Sequence, residues 1–123
     1  MFDKLKAMGA MASLLKDKDK LRDAAGRIKA RAAAARATGE AGGGAVRATV
    51  SGQLKVLSVE LTPALASGMA VDTRTRELAG SLIAEAVNSA LATAQATMKE
   101  AIDKETRELG LPDLGGQIGS LLS

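Results

Sequence analysis

Hydrophobic positions along this chain follow three rhythms. Between residues 3 and 36, Leu14, Leu21, Ile28 and Ala35 recur every seven residues, with Ala25 and Ala32 flanking the same line. That period predicts one long helix with an apolar seam for a partner surface. Gly9 and Gly26 weaken it locally, by about 1 kcal/mol each relative to Ala. A period of two follows. Val46, Ala48 and Val50 alternate with Arg47, Thr49 and Ser51, and then Leu57, Val59 and Leu61 alternate with Ser58 and Glu60. Gly52 and Gln53 between them predict a two-residue hairpin turn with glycine in its first position. A further short strand is expected around 37–41, turning back through the glycines of "GEAGGG". Pro63 ends the last run, because it has no N–H to give to a ladder.

The third rhythm, from 72 to about 109, is helical again. Leu78, Leu82, Ala86, Ala90, Ala94 and Met98 stand four apart, with Ile83, Val87 and Leu91 beside them. Asp72 or Thr73 suits the N-cap, and Gly110 with Pro112 the end. Small residues from Ala90 to Ala101 let another element approach closely. The remainder, "GLPDLGGQIGSLLS", has no strong period and reads as a flexible tail over 110–123. No internal repeat is present. Helix, three short strands within 37–62, helix predicts an α+β fold: a small antiparallel three-stranded sheet with two long helices, in one domain over 1–109. Such a subunit has more apolar faces than it can cover alone, so an intertwined homodimer is expected.

Composition sharpens that expectation. The 46% apolar content is mostly Ala, with one Phe and no Trp or Tyr. Side chains that bury so little area each leave a lone subunit marginal. The absence of Cys and His excludes a disulfide framework, a thiolate nucleophile and an imidazole base or ligand. No uninterrupted apolar run long enough to span a bilayer occurs. The N-terminal stretch carries Asp3 and scattered charge in place of a secretory signal, so a cytoplasmic protein is expected.

Net charge is +3, unevenly spread. Residues 1–37 hold ten Lys and Arg against four Asp, a net +6; 38–71 balance, and 72–123 carry −3. An anionic partner would meet the first third. There Arg22, Lys29 and Arg36, seven apart, form one stripe beside the seam, and Lys20 with Arg27 form another on the opposite flank. The plainer reading of such stripes is a solvated helix face whose long side chains cover the seam edges.

No stretch supports catalysis. A Walker-type loop needs Gly-Lys-Ser/Thr after its spacer, yet Ala45 and Val46 follow Gly44, and the stretch leaves a helix for a strand rather than the reverse. A dinucleotide fingerprint begun at Gly42 meets Arg47 in its sixth position. These glycines read as a tight turn. Ser13 to Lys16 matches Ser-x-x-Lys without its companion motifs. "DKDKLR" from Asp17 begins like a calcium loop but places Leu21, Arg22 and Ile28 where ligands and glycine belong. Glu100, Asp103 and Glu105, interleaved with lysines, read as solubilising charges on a helix. A non-enzyme with no metal, cofactor or small-molecule substrate is expected.

The ordered blocks "TGEAGGGAVRATVSG", "VLSVELTPAL" and "LIAEAVNSALATA" resemble the YbaB/EbfC family of nucleoid-associated proteins. The matching residues are Thr38, Gly39, Glu40, Gly42, Gly44, Val46, Val50 and Gly52; then Val59, Leu61, Pro63 and Leu65; then Leu82, Ile83, Ala86, Asn88 and Ala90. The resemblance covers about residues 1–109. It implies a tweezer-shaped homodimer of α-β-β-β-α subunits that binds DNA in the nucleoid. Two departures stand out: the first helix is rich in Ala and Arg, and "DTRTRE" occupies a stretch that is acidic in the family.

The function expected from residues and resemblance together is binding of double-stranded DNA by a homodimer, through backbone phosphates and with little sequence preference. Without aromatic residues to stack on unpaired bases, duplex is favoured over single strands. The candidate contacts are Lys16, Lys18, Lys20 and Arg22, then Arg27, Lys29, Arg31 and Arg36, with Arg74 and Arg76 from the second helix. The alternative is a dimeric protein-interaction module in which charge only steers or solubilises. A third reading, a basic helix lying on a membrane through Phe2, Leu5, Met8, Leu14 and Leu15, has too small and interrupted an apolar face, so no membrane partner is expected.

Overall fold

The computed structural model describes residues 18–110. The portion of the first helix expected before Lys18, and the tail expected beyond Gly110, lie outside the described residues. Those residues form α1 (Lys18–Ala34), β1 (Arg36–Ala41), β2 (Val46–Ser51), β3 (Val56–Leu61), α2 (Pro63–Val71) and α3 (Thr73–Glu108). The sheet is antiparallel in the order β1-β2-β3. The α+β order read from the periodicities stands, with one helix added and several local assignments corrected.

Helix α1 stops two residues earlier than expected. The Ala35 N–H donates to Arg31 O at 2.8 Å, closing the last turn, and Arg36 already pairs with Ser51 in β1. The seven-residue stripe of Arg22, Lys29 and Arg36 therefore loses its third member to the strand. The seam is also redrawn: Ala24 is buried, Leu21, Ile28 and Ala32 are half-buried, and Ala25 is exposed.

Strand alternation follows the pattern closely. Ala37, Gly39 and Ala41 of β1 and Val46, Ala48 and Val50 of β2 face inward. Three consecutive residues with positive φ, Gly42, Gly43 and Gly44, join them. Only glycine occupies that region without steric penalty at every position, which accounts for the run. The β2–β3 connection corrects the hairpin expectation. It takes four residues, 52–55, with Leu54 rather than Gly52 at positive φ (63°) and an irregular register between Thr49 and Val50. The Leu54 N–H donates to Ser51 O and the Gln53 N–H to Ser51 Oγ, while the Leu54 side chain packs onto the core. Gly52 serves space instead: a Cβ there would lie 2.9 Å from Ala32 Cα and 2.8 Å from Met98 Sδ.

Pro63 has a second role, in a helix that the periodicities do not predict. It opens α2 as a first-turn proline, where a missing N–H is no loss, and the Thr62 hydroxyl accepts from the Leu65 N–H at 3.4 Å. Leu65 buries the inner face of this short helix. Asp72 ends α2 and caps α3, as expected, accepting from the Arg74 N–H at 3.0 Å and the Thr75 hydroxyl at 3.3 Å.

Helix α3 lies across the sheet and buries Ala79, Ala86, Ala90, Ala94, Met98, Ala101 and Ile102. At its start the buried line runs through Ala79, leaving Leu78 exposed, a correction to the four-residue stripe. The core comprises the inward residues of β1 and β2, Leu65 and the α3 alanines, and its largest fully buried side chains are only Val46 and Val50. Helix and sheet therefore approach until backbone meets backbone. At Gly39, an added Cβ would strike Ala86 O and stand 2.6 Å from Ala90 N. The substitution Gly39→Ala is expected to lower stability by about 1–3 kcal/mol through overpacking. Gly80→Ala, where nothing lies within 4 Å, should raise it by about 0.4–1 kcal/mol. Thermal unfolding followed by circular dichroism checks both; equal effects at the two glycines would refute the close approach.

Candidate nucleic-acid interface

Seven residues span slightly less than two helical turns, so residues seven apart share a flank of α1. Arg22 and Lys29 lie on one flank, both exposed, and Lys20 and Arg27 lie on another with Arg31 one turn further on. The two flanks have different surroundings. Arg22 and Lys29 lie open to solvent, whereas Arg27 meets the C-terminal half of α3.

There Arg27 meets Glu105. The guanidinium donates from Nε to Oε1 (3.1 Å) and Oε2 (3.2 Å), and from Nη2 to Oε2 (3.0 Å). The Arg27 side chain is 52% exposed and that of Glu105 only 6%, so the carboxylate is the desolvated partner. The hydrogen bonds from Arg27 hold the Glu105 carboxyl below its ordinary range against the opposing effect of burial, with Arg31 and Lys104 adding attraction. Arg27 is correspondingly raised, chiefly by the Glu105 hydrogen bonds. This corrects the reading of Glu105 as a solubilising surface charge. The signal was present in the sequence: Met98, Ala101, Ile102 and Glu105 continue one buried helical line, and an acid on an apolar line needs a cation. Its partner is 78 residues away, beyond any local pattern.

The other candidates fall in several places. Lys20 is exposed on α1, and Arg31 lines an open cleft between α1 and α3 with Ala34, Met98, Glu100 and Lys104. Arg36 Nη1 donates to the carbonyls of Ala33 (2.8 Å) and Ala35 (2.9 Å), finishing the helix end. Arg76 donates to Met69 O and Thr73 Oγ1, both at 3.0 Å, tying α2 to α3. Arg74 is exposed in the first turn of α3. Lys16 and the side chain of Lys18 lie outside the described residues. Arg22 and Lys29 thus share one flank of α1 and Lys20 and Arg31 another, while Arg74 and Arg76 sit at the start of a different helix.

The rest of the surface is less cationic. Glu40, Arg47 and Glu60 stand in cross-strand register on the outer sheet face, where Arg47 Nε lies 4.0 Å from Glu40. Among the described residues no group of three or more acidic, His or Cys side chains could hold a metal ion, and no helix is long and apolar enough to cross a membrane.

Comparison with known proteins agrees with this architecture. The profile of the YbaB/EbfC DNA-binding family matches residues 8–109, and the chain belongs to that family. A nucleoid-associated protein of Pseudomonas fluorescens is 30% identical over 104 residues, covering 85% of this chain and 91% of its relative. One from Chlorobium phaeobacteroides is 40% identical over 68 residues, 55% of each chain. One from Desulfotalea psychrophila is 34% identical over 77 residues, covering 63% of this chain and 68% of the relative.

The Arg27–Glu105 pair makes acid stability testable. Because the folded carboxyl titrates below its unfolded value of about 4.3, the pair's contribution is complete above that pH and is lost as pH falls through the lower folded value. Thermal unfolding measured from about pH 7 to about pH 3 should therefore show a smaller acid-side loss for Glu105→Gln than for the wild type. Identical pH profiles would show that Glu105 is not held by Arg27.

Proposed function

We propose that this chain acts in the nucleoid as a homodimer that binds duplex DNA, gripping backbone phosphates with α1. The observation that carries the reading is the exposed Arg22–Lys29 flank on the helix of the most basic third of the chain. Long cationic side chains spaced along one helix flank suit a row of phosphates, which provide affinity and register without sequence information. Lys20 and Arg31 lie on the other flank of α1, and Lys16 and Lys18 belong to the same basic segment. Membership of a DNA-binding family and the nucleoid-associated relatives support the same partner. Arg27, Arg36 and Arg76 have internal partners and are left out of the proposed contact set.

What one subunit leaves uncovered supports dimerisation. Strand β3 is a sheet edge whose Val56 and Leu57 are about half exposed, and Leu78 is 55% exposed on α3. A second copy covering these apolar side chains removes them from water and doubles the basic surface under two-fold symmetry.

Titration of a duplex oligonucleotide at several salt concentrations tests the reading. Wild-type affinity should fall steeply with salt, and Arg22→Glu with Lys29→Glu should flatten the log–log slope by about 0.9 for each phosphate left unneutralised. Absence of duplex binding at low salt would sink the proposal. Separately, Leu57→Asp should shift light scattering from dimer toward monomer; an unchanged mass would place the interface elsewhere.

A further inference from the structure

Helix α1 is held to the body by little apolar contact. None of its residues belongs to the core cluster; Ala24 is buried, and Leu21, Ile28 and Ala32 are only half-buried. Gly52 lets Ala32 approach β2 closely, which sets a distance but not a rotation. With so few covered side chains, the apolar contact alone does little to fix the rotation of the helix. Against that, one guanidinium donates three hydrogen bonds of 3.0–3.2 Å to a carboxylate whose residue is 5% exposed on the far end of α3. A planar fork on a planar carboxylate fixes direction as well as distance.

We propose that Glu105 is a positioning residue for DNA binding: through Arg27 it locks the rotation of α1 on α3, so that Arg22 and Lys29 face outward as one cationic edge. The proposal rests on the phosphate-binding reading of α1. Helix geometry supplies the reason. Each residue advances about 100° around α1, so a slip of one residue at Arg27 swings the Arg22–Lys29 flank through the same angle. A slip that size would take the flank off a phosphate row reached only by extended side chains.

The inference makes a prediction opposite in sign to simple electrostatics. An acid near a DNA-binding surface repels phosphate, so deleting it by charge alone strengthens binding. As a positioning residue, its loss weakens binding instead. The experiment uses the full chain, a mixed-sequence duplex oligonucleotide and fluorescence anisotropy at fixed low salt. It compares wild type, Glu105→Gln and the exchanged pair Arg27→Glu with Glu105→Arg. Glu105→Gln should bind roughly threefold or more weakly, although each subunit has lost a negative charge. The exchanged pair, with unaltered net charge, should recover most of that affinity. Equal or tighter binding by Glu105→Gln overturns the proposal. So does an exchanged pair no better than Glu105→Gln, which would make Arg27 itself a phosphate contact.

Amide hydrogen exchange in α1 gives an arm independent of DNA. Faster exchange in Glu105→Gln, restored in the exchanged pair, supports the lock; unchanged exchange overturns it. If the wild type does not bind duplex while exchange responds in this way, the lock stands and the DNA reading alone has failed.

Discussion

Everything in this fold depends on how closely α3 lies against β1. At Gly39 the strand backbone reaches the helix backbone at Ala86 and Ala90, leaving no room for a Cβ between them. That separation dictates the composition. Inward positions on both sides must be small, hence Ala37, Ala41 and Ala48 opposite Ala79, Ala86, Ala90 and Ala94, with valines as the bulkiest filling. A chain that looks too poor in large apolar residues to build a core is in fact suited to a shallow one. The shallow core buries little area per residue, so the parts outside it need other means of attachment. The polar tie of α1 and the apolar surface left on β3 are both consequences.

Much of this architecture is legible in the chain. Alternation at 46–51 and 57–61 locates two strands, and the helical spacing through Ala86, Ala90, Ala94 and Met98 marks the face that α3 buries. The misreadings share a physical cause: residue types with two uses. Pro63 both denies an N–H to a sheet and opens a helix, and a strand pattern reveals only the first use, so α2 is not foreseen. Gly52 suggests a turn needing positive φ, but it makes room for α1, and Leu54 takes the left-handed position while its side chain packs inward. Local patterns do not distinguish a glycine needed for its backbone freedom from one needed for its missing side chain.

The candidate interface divides in the same way. Spacing alone groups Arg22 with Lys29, and both are exposed side by side on α1. The candidate contacts expected from the sequence also include Arg27, Arg36 and Arg76, whereas their guanidinium groups bond to a carboxylate, backbone carbonyls and a threonine hydroxyl. Arginine carries five donors in a rigid fork and finds acceptors wherever a helix ends or an acid is buried. Charge counting therefore overstates what a basic segment offers to a partner. Glu105 is hidden for the converse reason: its neighbours in sequence are lysines and acids, while the neighbour that matters comes from the other end of the chain.

The separation of α1 from the core has a consequence for how such a protein changes over generations. Substitutions in the sheet and α3 are judged together, since each displaces a backbone neighbour at van der Waals distance. Substitutions on the outer flank of α1 fall outside the core cluster. Charge there can change without displacing the frame. Outer helix flank and frame are thus nearly independent, joined through the Arg27–Glu105 pair.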